Sequence, residues 1–531
     1  MQRPSRADGV IITLMALIAM LAVIPTGFEI SAAAIDPAAW GDMPFSGTRI
    51  AFLARSVWVS AVIAGAACIL AGPLAQLLRR TGPGAAALLI APVWMPAWLM
   101  YAGLNLARAP DTILGGAIIE WALPDHRWAL VALGRALAIA SMVLWSVPIA
   151  ALVMAAVGDP DADAADELLR TEPLGWLHRI NTRFRLRRSA WLAAFGAVVL
   201  LTLGSSIPLH LAQVDTDTIV MWRALADRSP DRWGGIWLGS YPQLIIALIG
   251  SVWFITKLGT KSRPGENTQP IFVSPLTLST RLGAWFIWSL AAVLPLALMA
   301  ASLDSWSSLS HWIGLNRRAF AASGTIAGIG AAVIGVASVV IAASASSERV
   351  WSRRCARIIA AASLLSFLFP GVLVGAGFAR FGARLNIDPA VLGVAASIAR
   401  TLFVAGIAGL ILANAESPEH RAMRQLDDRG DALGWITTNP ARALRLFCGA
   451  GLGAFLLGLH EIEASVIIRP PGMANLPQQM LADLHYARLE QLSAGGVVIG
   501  LLAIGLGSMI GLFLKTRSEQ PGSDRPVPPT V

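Results

Sequence analysis

Apolar runs of about 20 residues recur from one end of this 531-residue chain to the other, and about 20 residues is the helical length that crosses roughly 30 Å of hydrocarbon. A soluble core has no use for so many in succession. The composition agrees: 56% hydrophobic residues, 14% charged residues and a mean hydropathy of +0.64 exclude an ordinary soluble protein. The expected fold class is therefore an all-α, polytopic membrane protein, because a helix satisfies its own backbone groups inside lipid. The lipid bilayer is its first partner.

The runs place spans at 10–30, 57–78, 84–106, 130–155, 189–212 and 242–258, then at 280–302, 320–344, 356–380, 390–413, 446–468 and 495–514. That gives about twelve transmembrane helices as two six-helix halves, 1–260 and 280–515. Between them lies a basic linker, 261–279, with Lys261, Arg263, Pro264 and Gly265. The first run follows Arg3 and Arg6 and is read as a retained span, with a cleaved signal peptide as the alternative because Ser31-Ala32-Ala33-Ala34 follows it. The tail 516–531, rich in Pro, Ser and charge, is expected to be disordered.

A net charge of +9 and a pI of 10.4 would point to nucleic acid in a soluble domain. Here the arginines sit in short loops. With the N-terminus in the cytoplasm, Arg79 and Arg80, the arginines of 179–188, the linker, 349–357, 421–445 and the tail all fall on one side. That asymmetry is the positive-inside pattern, so the charge is assigned to topology and no nucleic-acid partner is expected. Both termini are then cytoplasmic, and an even number of spans per half makes any repeat between the halves parallel. Two short matches support a repeat. After the fourth span of each half comes Asp159-Pro160-Asp161 or Ser417-Pro418-Glu419, each an N-cap, a proline at the first helical position and an acid on the helix dipole. Leu-Gly-Trp then follows at Leu174 to Trp176 and at Leu433 to Trp435.

Chemistry-bearing patterns are few. No phosphate-cradling glycine loop with its Lys-Ser or Lys-Thr is present, so ATP binding is not expected on this chain. Cys68, Cys355 and Cys448 lack paired spacing, and the seven histidines are scattered; no cofactor or metal site is expected. His210, His460 and His485 lie toward the outer face, as contacts for a metal-bearing cargo or as plain interfacial histidines. Ionisable residues within spans are costly, which makes Arg135, Arg400, Glu461 and Glu463 translocation-pathway candidates, with snorkelling, helix-end pairing and a simple span end as the structural readings.

The stretch Ser417 to Leu444 is polar and arginine-rich between two apolar runs, and reads as a docking handle. It resembles, together with its surroundings, the fused two-half permeases of binding-protein-dependent ABC importers of the ferric-iron and thiamine type. In that family a cytoplasmic loop after the fourth span of each half carries Glu-Ala-Ala, a glycine four residues later and a Leu-Pro end, and its helix seats in a groove of the ATPase. Asp163-Ala164-Ala165 matches the opening in the first half, with Leu169 in the glycine's place. Arg421-Ala422-Met423 matches in the second, with Asp427 for the glycine, Asn439 for the leucine and Pro440 at the family's spacing; Gly175-Trp176 and Gly434 offer an alternative register. Further on, Glu461, Arg469-Pro470-Pro471-Gly472 and Leu484-His485-Tyr486 are similar to an outer loop of the family's second half. The resemblance implies a non-enzymatic importer permease in a bacterial inner membrane. Its partners would be ABC ATPase subunits, as a dimer, and an extracytoplasmic solute-binding protein, with ferric iron favoured over thiamine or polyamine as cargo. The competing classes are a secondary transporter with two six-helix halves and a membrane-embedded enzyme or scaffold.

Overall fold

The computed structural model describes residues 6–41, 47–110, 112–122, 125–157, 175–205, 207–227, 229, 232–260, 276–427, 429–468 and 475–514. Among the described residues the regular structure is helical, with no strand. The main helices are α1 (Arg6–Ile35), α2 (Gly47–Arg80), α3 (Pro83–Ile90), α4 (Ala97–Asn105), α5 (Arg127–Val157), α6 (Trp176–Leu203), α7 (Asp217–Asp227), α8 (Tyr241–Thr260) and α9 (Leu278–Ala301). They continue as α10 (Ser307–Ser346), α11 (Val350–Leu368), α12 (Gly371–Leu385), α13 (Pro389–Asn414), α14 (Pro418–Leu426), α15 (Ala432–Thr438), α16 (Pro440–Leu459), α17 (Leu476–His485) and α18 (Leu489–Leu514). Nine of the described helices are long and apolar enough to cross a membrane, and three bent pairs raise the number to twelve if each pair is one span. Trp58, Ile69, Phe286 and Leu501 are each more than half exposed. Apolar side chains outside the packed core are what a bilayer would cover.

Two spans that read as continuous in the sequence are broken. The helix Pro83–Trp94 meets Ala97–Arg108 at 73°, and Val350–Leu368 meets Gly371–Leu385 at 103°. The cause is Pro96 and Pro370. Each has extended backbone (ψ 132° and 124°) and no N–H to continue the ladder, so the helix ends before it and a new one starts after it. The fifth spans also stop short of the expected ends, at Leu203 and Leu459. By contrast α10 runs for 40 residues, which at 1.5 Å per residue is about 60 Å and well beyond one bilayer core.

The core is assembled across the two halves of the sequence. α1 packs on α11, α12 and α13, while α9 packs on α2, α4 and α5. Glu29 of α1, buried, pairs with Arg380 and Arg384 of α12 at 3.2 and 3.3 Å, and Phe28 meets Phe381 edge to face at 6.2 Å. α10 forms the centre of the second half against α13 and α16, and small residues at the contacts permit the approach. A Cβ on Gly335 would lie 2.7 Å from the Phe447 ring, and one on Gly409 would lie 2.8 Å from the Ser338 carbonyl.

Candidate functional site

The docking handle folds as two short helices. Ser417 caps α14 through its hydroxyl, which accepts from His420 N at 3.3 Å; proline follows at the first turn, and Glu419 sits there on the dipole. Glu419's own backbone N–H and the Ser417 hydroxyl hold that carboxyl below its usual range. Asp431 caps α15 by accepting from Gly434 N at 2.7 Å. The anchor is Arg424, 5% exposed. Its Nε and Nη2 donate to Glu416 at 2.8 and 3.0 Å, Nη2 also to the Ser346 carbonyl and Nη1 to the Arg429 carbonyl. Glu348 N donates to Gly430 O at 3.0 Å, which ties the handle to the end of α10 a second time. With its polar side so engaged, α14 turns Met423 (63%) and Leu426 (87%) outward, and Ala422 is exposed beside them.

Of the positions that departed from the family pattern, Leu169 lies outside the described residues. Asp427 ends α14 at φ −83°, ordinary backbone that requires no glycine. The close approach lies instead at Gly434, where a Cβ would fall 2.2 Å from the Arg429 carbonyl. Pro440 opens α16 at its first turn, directly after Asn439. In the first half Gly175 is the N-cap of α6, extended at ψ 149°, and Trp176 is the first helical residue. Asp163, Ala164 and Ala165 lie outside the described residues, as do Arg469, Pro470, Pro471 and Gly472, the linker to 275 and the tail from 515.

The span charges separate into two kinds. Arg400 occupies the break between α11 and α12: Nη1 donates to the carbonyls of Ser366, Phe367 and Phe369 at 3.1, 2.6 and 2.8 Å, and Nη2 to Glu463 at 3.4 Å. These are helix-end carbonyls left without partners by Pro370, and the guanidinium fills that need. Glu461 accepts from Ala464 N and Ser465 N at 2.8 and 3.1 Å, capping the turn after α16. The other break is held differently, by Trp145 Nε1 donating to Met95 O at 3.0 Å and by His460 Nε2 bonded to Trp94 O at 3.1 Å.

Arg135 behaves otherwise. It lines a cavity of about 710 Å³ with Tyr101, Asn105, Arg108, His210, Leu211, Gln213, Asp215, Arg223, Leu484 and His485. The wall comes from the α4 end, α5, the segment before and within α7, and the end of α17, so both sequence halves contribute. Arg108 donates through Nε to Asn105 at 2.5 Å and through Nη1 to Leu130 O at 2.9 Å, while Arg223 pairs with Asp215 at 2.8 Å. Arg135 is exposed to the cavity, and no partner for it is found among the described residues. His210 stacks obliquely on Trp222 at 5.1 Å, and its Nδ1 is buried without a hydrogen bond. Burial, then Arg223 and His485, hold the His210 pKa below its usual 6.5, against the opposing pull of Asp215. Tyr486, next to His485, points away and is 73% exposed beneath Arg488.

Thus the structure brings Arg135 and His485 together, and keeps Arg400, Glu461 and Glu463 apart from them in a structural cluster. Arg108 and Arg223 were missed in the sequence because nothing in their spacing ties four distant segments to one wall. Among the described residues no three His, Cys, Asp or Glu side chains form a metal ligand set. Compared with protein families, curated proteins and solved structures, the chain gives no match.

Proposed function

We propose that the chain is the transmembrane permease subunit of an ABC-type importer, with the 417–438 handle as its contact for a separate ATPase. The observation that carries this reading is α14: a helix fixed on its polar side by a buried ion pair and presenting two large apolar residues, Met423 and Leu426, to the outside. An apolar face on a rigid amphipathic helix suits a groove on a partner protein. Placing that groove on a cytoplasmic ATPase puts both termini in the cytoplasm and the 710 Å³ cavity, at the other end of the spans, on the outer side.

Paired features support two parallel six-helix halves. The third span of each half is broken at a proline, and the first span of each packs on the other half. Ser56 Oγ accepts from Asp217 N at 2.8 Å, and Ser323 Oγ accepts from Leu476 N at 2.9 Å. Each serine lies on the second span and each amide opens an outer helix. Asp217 and Leu476 stand at the same separation as Leu174 and Leu433 of the Leu-Gly-Trp pair. Two such halves rock between inward- and outward-open states as ATP closes the partner ATPases, a population shift driven by nucleotide favouring one state.

The test is copurification. Coexpressed with an ABC ATPase subunit from the same genome, the chain retains it, and Met423→Glu with Leu426→Glu releases it while the elution volume in detergent stays unchanged. Retention of the ATPase by the folded double variant would refute the docking role.

A further inference from the structure

The outer cavity carries a charge that the cargo must accept. Its wall holds three guanidinium groups, Arg108, Arg135 and Arg223, and two imidazoles, His210 and His485, against one carboxylate, Asp215. Asp215 is already bonded to Arg223 at 2.8 Å, and Arg108 spends its Nε on Asn105 and its Nη1 on a carbonyl. That leaves Arg135 with no counter-charge among the described residues and the buried His210 Nδ1 with no hydrogen bond. The volume, about 710 Å³, falls within the roughly 300–1,000 Å³ of small-molecule sites. A free cation would meet net positive charge on every side, whereas a planar or tetrahedral oxyanion matches the fork of Arg135.

We propose that this cavity is the outer subsite for a small solute bearing carboxylate or phosphate oxygens, so that any metal cargo passes as an anionic chelate and not as a bare ion. The proposal rests on the permease reading, which sets the cavity on the path of an imported solute. Arg135 supplies the bidentate contact, Arg223 and Arg108 the surrounding field, and the two imidazoles N–H donors. Arginine shared with Asp215 tunes the site: an arriving anion competes with that carboxylate for Arg223.

Binding is measured by titration calorimetry on the full chain in nanodiscs of neutral lipid at low salt, with sulfate, citrate and spermidine as probes. Sulfate keeps its charge across the titration range, so its pH dependence reports only the protein. The expected result is saturable binding of sulfate and citrate but not of spermidine, weakened at least tenfold by Arg135→Ala and by less with Arg135→Lys. Sulfate binding also tightens as pH falls below the usual imidazole range, because an anion favours the protonated form of His210 beside Arg108, Arg135, Arg223, His485 and Asp215; His210→Gln weakens that dependence. Spermidine binding in place of the anions, no saturable anion binding to folded protein, or anion binding indifferent to Arg135→Ala overturns the proposal. No ATPase is present in this assay, so its failure is separable from failure of the docking reading.

Discussion

Replacing Arg424 by alanine tests whether α14 is a preformed handle. The Arg424 and Glu416 side chains are 6% and 1% exposed, joined at 2.8 and 3.0 Å. Deleting the guanidinium leaves the Glu416 carboxylate buried, facing Arg421 at 3.6 Å, whose side chain is 38% exposed. Breaking a buried pair from one side costs about 3–5 kcal/mol, and a half-exposed pair such as the one with Arg421 restores at most about 1. The net, about 3 kcal/mol, corresponds to roughly a 100-fold shift in an opening equilibrium. α14 sits at the edge of the bundle and can open without unfolding the spans. The loss is therefore read by hydrogen–deuterium exchange in nanodiscs, at the amides of Arg421, Asp427 and Arg429, which bond to Ser417, Met423 and Arg424 carbonyls. These should exchange about 100-fold faster, with little change in the melting temperature of the whole. Arg424→Lys should fall between, since a point charge cannot reproduce the bidentate fork. Removing both partners, Glu416→Ala with Arg424→Ala, should recover much of the protection because no buried charge remains. Unchanged exchange in Arg424→Ala, or a double variant as open as the sum of the singles, would refute the anchoring argument.

Other outcomes follow from the same contacts. Gly434→Ala drives a methyl into the Arg429 carbonyl and should destabilise the α14–α15 connection by about 1–3 kcal/mol, seen as faster exchange across 429–438. Arg400→Met strips the donor from three carbonyls and one partner from Glu463; a loss of about 3–5 kcal/mol should appear as a lower melting temperature by size-exclusion fluorescence. Asp217 is buried, and burial, opposed by Arg49, raises its pKa above 3.8. A raised acid favours the folded state when protonated, so that contribution is fully present below 3.8 and is lost as pH rises through the folded value. The melting temperature of the native protein relative to Asp217→Asn should accordingly fall across that interval, and a flat difference would exclude the linkage.

Much of the architecture was legible because the bilayer leaves so little choice. The helical, membrane-spanning character follows from apolar run length, and the cap at Ser417 from short-range chemistry. What could not be read depends on distant segments meeting. Pro96 and Pro370 announce a possible kink, but a bend of 73° or 103° is set by what receives the freed carbonyls, and Trp145, His460 and Arg400 lie far along the chain. Arg135 and Arg400 looked alike as lone arginines in fourth spans. They differ because Arg400 reaches a helix break and Arg135 a cavity, a distinction made by neighbours far along the chain.

One element touches both ends of the proposed machinery. Near its C-terminus α10 offers the Ser346 carbonyl to Arg424, and Glu348, just past it, donates its N–H to the Gly430 carbonyl; near its middle Ser323 Oγ accepts from the first amide of α17, the helix that ends in His485 at the cavity. From Ser323 to Ser346 the helix is continuous and contains no proline. Contacts at both places on one continuous helix couple movement at the handle to movement of α17. Under the permease reading, a partner that tilts α14 therefore repositions His485 relative to Arg135, which belongs to the other half, and the cavity between them is the volume that such a tilt must change.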